Sequence, residues 1–355
     1  MSEIKYRVAI VGCGSMGQQY ARAYSTYPDT EIVAIAEYNP ERRRALGELF
    51  GVEALYPDVE ALLKDEVPDI VAVITPSKFF KEAVIACAEA GVKGVSTDKP
   101  IAAKLSDADE MVETCERLGV VYAGGNLMRA RHDLQHVARQ IHAGEFGRMI
   151  GASVSNWGGL EISGGGCQQI SVLRLLLQAE VEEVVAWGEP EELLGNDNDE
   201  GQKFHGRWRL TNGIECPLFW MEDPAASNVN VWSTDTLIKT WNGKPELFRG
   251  FDENGARIPL EQEYPPYEWS EFGYLTGSIR SFLAAVETGS ELWISGRDLR
   301  QALEVAIAAK ISAQRGNTPV KLPLEDRSLT LYPRAYRWAG GDATDRDPSM
   351  LIFNH

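Results

Sequence analysis

Gly12-Cys13-Gly14-Ser15-Met16-Gly17 is a stretch whose residue types and spacing can do chemistry. A GxGxxG that directly follows Val8-Ala9-Ile10-Val11 and opens a helix near Ser15 is the arrangement that cradles a dinucleotide pyrophosphate. Gly12 makes the tight turn, Gly14 lets the backbone approach the phosphates, and Gly17 lets helix and strand pack closely. The helix start at Ser15 and Met16 then offers unpaired N–H groups and a partial positive charge to the anion. Glu37 ends the next apolar run, about twenty residues after the last glycine, where a carboxylate accepts hydrogen bonds from the adenosine ribose hydroxyls. It would repel a 2′-phosphate, so NAD is the expected cofactor. Arg42-Arg43-Arg44 begins the following helix and keeps NADP possible, because Arg42 can reach a 2′-phosphate if Glu37 turns aside; the plainer reading of that triplet is a solvated helix face.

Other chemistries find less support. His132 and His136 have the i, i+4 spacing of metal ligands, but no third ligand stands in register, so a solvated or capping role and no metal are expected. Ser163, Ser171 and the aspartates form no nucleophile elbow, which removes the serine hydrolases. Cys13, Cys87, Cys115, Cys167 and Cys216 form no CxxC pair, so neither a disulfide framework nor a zinc site is indicated and a reducing compartment fits. The net charge of −17 repels nucleic acid and anionic membranes. No apolar run reaches the length of a bilayer span, and the opening residues lack a signal-peptide pattern. The expectation is a cytoplasmic protein without nucleic-acid or membrane partners.

The elements that must position the glycine loop follow from periodicity. Arg7–Val11, Glu31–Glu37, Asp69–Ile74, Val92–Thr97 and Val120–Gly124 read as buried strands. Ser15–Tyr27, Pro40–Phe50, Lys78–Ala90 and Ser106–Leu118 carry helical spacing between them, so a doubly wound parallel Rossmann sheet over residues 1–125 is predicted. After Asn126 come a helix, His132–Ala143, and the runs Met149–Trp157, Gly201–Leu210, Ile214–Met221, Asn228–Ser233 and Thr236–Trp241. Strands joined by turns pair antiparallel, which predicts an α+β domain with a large open sheet over 126–332. Helices return at Glu268–Thr288 and Arg297–Gln314, the second placing Leu299, Leu303, Ala306, Ile307 and Lys310 on one face; they pack on the open sheet or complete the first domain. Acidic clusters at Glu180–Glu183 and Glu189–Glu192 read as solvated edges. Trp208, Trp220, Trp232 and Trp241 read as sheet packing or an oligomer interface. The tail 333–355, including Asp342–Asp347, either wraps a neighbouring subunit or covers the cleft.

Together these motifs resemble the Gfo/Idh/MocA oxidoreductases, the glucose-fructose oxidoreductase and inositol dehydrogenase-like family, from about Lys5 to about Pro323. Besides the glycine fingerprint, the matching stretches are Ile74-Thr75-Pro76, Asp98-Lys99-Pro100, Asn126 with Arg129, Gly144-Glu145-Phe146-Gly147, Gly164-Gly165-Gly166, and Gly296-Arg297-Asp298 through to Leu322-Pro323-Leu324. The resemblance implies NAD or NADP, a small polyhydroxy substrate such as a sugar, sugar acid or cyclitol, and a homo-oligomer, dimer or tetramer, formed through the C-terminal sheet. It implies that Thr75, Pro76, Asp98, Lys99 and Asn126 line the cofactor, and that Arg129, Trp157, Gln168 or Gln169 lie in the substrate pocket, where the face of Trp157 either stacks on a pyranose as a sugar platform or simply fills the sheet. The family's triplet is Glu-Lys-Pro; here the acid is the shorter Asp98, which with Lys99 is a catalytic candidate. Lys99 matches the lysine beside the nicotinamide, where an ammonium stabilises alkoxide charge or exchanges a proton with the substrate oxygen. Read without the resemblance, Lys99 is equally a surface lysine at a strand end.

Two departures stand out. Where the family often has a histidine five residues after the threonine, this chain has Phe80. Where it places an aspartate and a catalytic histidine after the glycine run, this chain has Ile170 and Arg174, and no histidine lies between His142 and His205. A guanidinium cannot serve as a base. Three readings follow. Lys99 handles the proton while Arg174 binds an anionic or polar part of the substrate; or hydride transfer is transient and the net reaction is a lyase or glycosidase cleavage through a keto intermediate; or catalysis is lost and the fold senses a sugar or dinucleotide.

Overall fold

The computed structural model describes residues 5–159, 161–223, 228–240, 243–264 and 274–340. The first part of the chain alternates β1 (Tyr6–Val11), α1 (Ser15–Ser25), β2 (Thr30–Ala36), α2 (Pro40–Phe50), β3 (Ala54–Tyr56), α3 (Val59–Asp65), β4 (Ile70–Val73), α4 (Phe80–Ala90), β5 (Gly94–Thr97), α5 (Leu105–Leu118) and β6 (Val121–Ala123). Local chemistry sets several of these ends. Asn39 caps α2 by accepting from the amides of Glu41 and Arg42, Pro40 opens it, and Gly51 closes it in the left-handed region at φ 67°. β4 and β5 are buried at every residue, as parallel strands covered on both faces must be. Six parallel strands lie in the order β3-β2-β1-β4-β5-β6, so the winding direction reverses between β1 and β4. β3 and α3 are additions to the sequence reading; three residues are too few to show a period.

Thereafter come α6 (His132–His142), β7 (Gly151–Ser155), α7 (Cys167–Leu177), β8 (Val181–Glu189), β9 (Lys203–Leu210), β10 (Glu215–Phe219), β11 (Asn228–Trp232), β12 (Thr236–Thr240), β13 (Glu246–Phe251), β14 (Arg257–Pro259), α8 (Leu275–Thr288), α9 (Gly296–Gln314), β15 (Val320–Lys321) and α10 (Ala335–Ala339). β7 to β15 form one sheet in the order β14-β13-β12-β11-β7-β10-β9-β8-β15. Its neighbours pair antiparallel except β7 with β10. Thus the fold is a parallel Rossmann sheet with a second, mainly antiparallel one.

One expectation is overturned here. The acids from Glu182 to Glu183 are not a solvated edge but part of β8, with Glu183 buried. Arg207 and Arg209 of neighbouring β9 reach it at 3.4 and 3.0 Å, and this cross-strand pairing compensates the buried charge. Glu189, Glu191 and Glu192 are exposed, as expected.

The described residues group into two compact units, 5–126 with 274–300 and 334–340, and 127–264 with 301–333. A linear division at 125 and 332 misses this return of the chain. Periodicity shows that a helix buries a face without showing against what. α8 belongs to the first unit, where a Cβ on Gly94 would stand 2.6 Å from the Phe282 ring, so the glycine makes room for it. The face of α9 from Leu299 to Lys310 is buried, as its spacing predicts. The expected helix start at Glu268, Trp241, and the tail beyond Gly340 lie outside the described residues. Among those described, no helix is long and apolar enough to cross a membrane.

Candidate dinucleotide site and active centre

In open α/β sheets, ligands bind beyond the carboxyl ends of the strands where the winding reverses. The registers Val11↔Ala36, Val11↔Val73, Val73↔Thr97 and Ser96↔Ala123 bring the residues after five strands to that same edge. These are Gly12, Glu37, Thr75, Asp98 with Lys99, and Asn126.

The three glycines do separate work. Gly12 has φ 97°, and a Cβ there would lie 2.4 Å from the Ile74 oxygen, so β1 can turn beside β4 only without a side chain. At Gly17 a Cβ would come within 1.9 Å of the Gly12 oxygen. Around Gly14 nothing stands within 4 Å of a Cβ, so crowding by the protein does not require this glycine. Gly14 is also the N-cap of α1 and makes no side-chain cap bond, and Ser15 beyond it is exposed while Met16 packs on the core. An open glycine ahead of an uncapped helix start is the shape a pyrophosphate fits.

Glu37 is buried beneath this loop rather than standing open beside it. Its Oε2 accepts from the Cys13 amide at 2.8 Å and its Oε1 from the Asn39 amide at 3.0 Å. Arg42 stands 3.8 Å from Oε2, and Arg43 donates to the Glu37 carbonyl at 2.6 Å. Arg42 therefore lies against the acid instead of forming a solvated face; Arg44, 73% exposed in its side chain, does form one. Sequence logic assigns Glu37 to a ribose alone and misses its brace on the glycine turn, for which no sequence signal exists.

Asp98 and Lys99 follow β5, and the Lys99–Pro100 peptide is cis. The Lys99 ammonium lies 3.4 Å from Asp98 Oδ1 and 3.3 Å from the Asn126 carbonyl, with its side chain 13% exposed. Asp98 Oδ1 also accepts from the Lys99 amide at 2.8 Å. Beneath them is Tyr20, whose hydroxyl would meet a Cβ on Gly125 at 2.5 Å. Burial, and secondly Asp98, push that phenol well above its ordinary range, so it stays protonated. The position of Phe80 is filled by a core side chain. Thr75 Oγ1 donates to the Pro76 carbonyl at 3.3 Å. Ser77 donates to the Arg337 carbonyl at 3.2 Å, and a Cβ on Gly340 would lie 3.0 Å from Pro76. The described part of the tail thus docks on the Pro76–Ser77 turn.

Within the second unit, the expected substrate residues divide. Arg129 lies on the turn Met128–Ala130, whose Met128 amide is held by Gln168 Oε1 at 2.7 Å. Trp157 is a correction: it is 1% exposed, donates to the Gly166 carbonyl at 3.1 Å and meets Trp208 edge-on at 4.8 Å, so it is core and not a sugar platform. Gln169 is also buried, its amide spent on the Asn156 carbonyl at 3.0 Å and the Gly158 amide at 3.3 Å. Arg174 is committed to Glu180, with Nε donating at 2.9 Å and Nη2 closing the fork, so the anion it recognises belongs to its own chain. His136 packs edge-on against Tyr264. Among the described residues no group of three His, Cys, Asp or Glu is placed to hold a metal.

Residues 6–125 match the profile of the oxidoreductase family with an NAD-binding Rossmann fold. This chain's first domain is that of a Gfo/Idh/MocA oxidoreductase. Two relatives align along most of the chain at 25% identity. They are the D-apiose dehydrogenase of Paraburkholderia graminis, over 88% of this chain and 89% of its own, and the myo-inositol 2-dehydrogenase of Thermotoga maritima, over 87% and 96%. A crystal structure of an oxidoreductase from Agrobacterium radiobacter in complex with NAD+, L-tartaric acid and magnesium has the same fold. It superposes at a TM-score of 0.74 with 21% identity, over 89% of this chain and 98% of that one.

The match to this family accounts for an NAD-binding Rossmann fold over residues 6–125. It does not explain the second unit's departures, because the segment after Gly166 carries Ile170 and Arg174 where the resemblance implies an acid–base pair. Both are accounted for by this fold: Ile170 is buried and Arg174 is ion-paired.

Proposed function

We propose that this oxidoreductase is an NAD(P)-dependent dehydrogenase acting on a secondary hydroxyl, or the matching carbonyl, of a sugar, sugar acid or cyclitol, with Lys99 at the reacting oxygen. The observation that carries the reading is the ammonium of Lys99, held between Asp98 Oδ1 and the Asn126 carbonyl at 3.4 and 3.3 Å on the edge that bears the glycine loop. The polyhydroxy substrate class is supported by relatives named for D-apiose and myo-inositol. When bound, the nicotinamide supplies the hydride acceptor or donor. Gly14 and the amides opening α1 hold the pyrophosphate, and Glu37 orients the ribose while bracing the turn. Lys99 donates a hydrogen bond to the substrate oxygen and stabilises charge as the hydroxyl loses its proton, the kind of contact worth ~10²–10³ in rate. Asp98 and the Asn126 carbonyl keep the ammonium aimed. With no histidine in the segment after Gly166, Lys99 carries the proton: the ammonium delivers it to the oxygen in carbonyl reduction and becomes the amine, and in alcohol oxidation the neutral amine takes the hydroxyl proton and becomes the ammonium.

The test is a screen of sugars, sugar acids and cyclitols with the purified protein and NAD or NADP, following the reduced-nicotinamide absorbance. Net reduction with one substrate class is expected. Product formed with no net change in the dinucleotide would replace this reading with the lyase one, and binding of polyols without any turnover would replace it with a sensor.

A further inference from the structure

Two consecutive glycines, Gly124 and Gly125, stand between β6 and Asn126, the residue whose carbonyl meets the Lys99 ammonium. Glycine leaves the backbone its widest freedom, so a carbonyl presented at 3.3 Å needs something outside the turn to hold it there. The first unit supplies it. The Gly124 amide donates to the Ile294 carbonyl at 3.0 Å, and Ala123 bridges to Ser295. Ser278 of α8, itself buried, donates from its hydroxyl to the Gly125 carbonyl at 3.0 Å and to that of Gly124 at 3.4 Å. Tyr20 of α1 lies against the same turn. Its hydroxyl is 2.5 Å from where a Cβ on Gly125 would stand, and the Asn126 amide faces its oxygen. That Cβ would also come within 2.8 Å of the Asp98 Cα, so the turn abuts both groups that hold Lys99. The Tyr20 hydroxyl is buried, and its proton finds no acceptor among the described residues. Such a group costs stability, so packing alone gives no reason for tyrosine here in place of phenylalanine.

We propose that Tyr20 and Ser278 are positioning residues for Lys99, gripping the Gly125–Asn126 peptide at its two poles and so setting the Asn126 carbonyl that aims the ammonium. That this aim serves hydride transfer rests on the dehydrogenase reading; the grip on Lys99 does not. In a trans peptide the C=O and the N–H point in opposite directions. Ser278 takes the carbonyl pole of this peptide and Tyr20 stands at the amide pole. With both poles held the peptide plane is fixed, and the Asn126 carbonyl, which follows it directly, is fixed with it. The other acceptor for the ammonium needs no such help, because Asp98 Oδ1 is already tied to the Lys99 amide at 2.8 Å. The Asn126 carbonyl is therefore the adjustable half of the Lys99 cradle. Loss of the Tyr20 oxygen lets the peptide rock about the Ser278 contact. The ammonium then keeps Asp98 but loses its second acceptor, and with it the direction in which it meets a substrate oxygen.

Tyr20→Phe tests the grip, because it keeps the ring and removes only the oxygen. Its melting temperature should equal or exceed that of the wild type, since the hydroxyl proton had no acceptor to lose. Competitive acetylation with trace acetic anhydride, read by mass spectrometry against the other lysines, should label Lys99 about fivefold faster in the variant, the effect of losing one ordinary hydrogen bond. On a polyol that the wild type oxidises, kcat should fall about tenfold while KM and NAD affinity stay within about twofold, as a misaimed group requires. Ser278→Ala releases the other pole and should move labelling and kcat the same way, with a lower melting temperature because a buried carbonyl loses its donor. Unchanged Lys99 labelling in Tyr20→Phe overturns the proposal, as does lost activity that only follows a lost melting temperature. If the wild type turns over no polyol but the labelling difference appears, the dehydrogenase reading fails and the grip on Lys99 stands.

Discussion

The Cys13 amide donates to Glu37 Oε2 at 2.8 Å, which ties the acid at the end of β2 to the middle of the glycine turn after β1. The residue proposed to read the adenosine ribose is thereby a brace for the glycine turn. Arg42 stands 3.8 Å from the same oxygen. Glu37→Ala removes the carboxylate and leaves Arg42 unopposed beside the ribose, so NAD should bind ~10–100-fold more weakly, the loss expected for a charge-assisted bond, while NADP loses less. Fluorescence titration with both dinucleotides measures the ratio; an unaltered preference would show that Glu37 does not set cofactor choice.

Gly14 and Gly17 separate the ligand's demands from the fold's. A methyl at Gly17 would lie 1.9 Å from the Gly12 oxygen, whereas at Gly14 nothing stands within 4 Å and the φ of −67° suits alanine. Gly17→Ala should cost more than about 3 kcal/mol of stability, because backbone must move. Gly14→Ala should leave the melting temperature nearly untouched and weaken NAD binding at least about tenfold, since its methyl points where the pyrophosphate comes. Circular dichroism melting and cofactor titration on the two variants check the contrast, and a Gly14→Ala protein with full NAD affinity would place the phosphates elsewhere.

Lys99→Met keeps the stem and removes the ammonium from between Asp98 and Asn126. Turnover should fall at least ~10²-fold with NAD affinity close to that of the parent, as expected when a group acting on the substrate oxygen is lost. Stopped-flow hydride transfer and NAD titration separate the two quantities. A variant with full activity would remove Lys99 from the chemistry.

The Rossmann half is legible because its strands are buried on both faces and so read as unbroken apolar runs between amphipathic helices. What the sequence hides follows from contacts distant in the chain. Glu183 looks like a solvated acid until Arg209 arrives beside it from the next strand. Trp157 looks like a sugar platform until Trp208 and the Gly166 carbonyl close on it. α7 escapes as a helix because Ile170, Val172, Leu173, Leu175, Leu176 and Leu177 are all buried, which leaves little polar alternation to mark a period. At the candidate site, spacing locates Gly12, Glu37 and Lys99 along one sheet edge. It does not say that Arg174 is satisfied by Glu180 or that Asp199 is buried, since local pattern contains neither partner nor depth.

Arg174→Ala tests that correction directly. Its guanidinium is paired with Glu180, and the Arg174 side chain is only 11% exposed, so the variant loses packed stem as well as the pair and should lose about 1–3 kcal/mol of stability. kcat/KM on any acidic or neutral polyol should change by less than about threefold, because no substrate contact is removed; a tenfold loss confined to acidic substrates, about 1.4 kcal/mol, would return Arg174 to the pocket.

Asp199, buried between β8 and β9 and accepting from the Ser163 amide at 2.6 Å, gives the whole protein a pH signature of unusual sign. Its carboxyl lies at about 6 in the folded chain against 3.8 as the ordinary value, so between those limits the native state binds more protons than the unfolded one. Stability from this group is therefore greatest below the unfolded value and declines as pH rises to about 6, opposite to a salt-bridged aspartate, whose contribution grows with pH. A rise of that size corresponds to about 3 kcal/mol, present at pH 4 and absent at pH 7. For a chain of this length that is about 4 °C in melting temperature. Asp199→Asn removes this contribution, so the variant's melting temperature minus the wild type's should increase by about this amount between pH 4 and pH 7. Paired calorimetric scans across that range cancel the titration of every other group. A difference that stays constant with pH would mean that Asp199 is ionised throughout, with Lys310 and Ser163 compensating its burial completely.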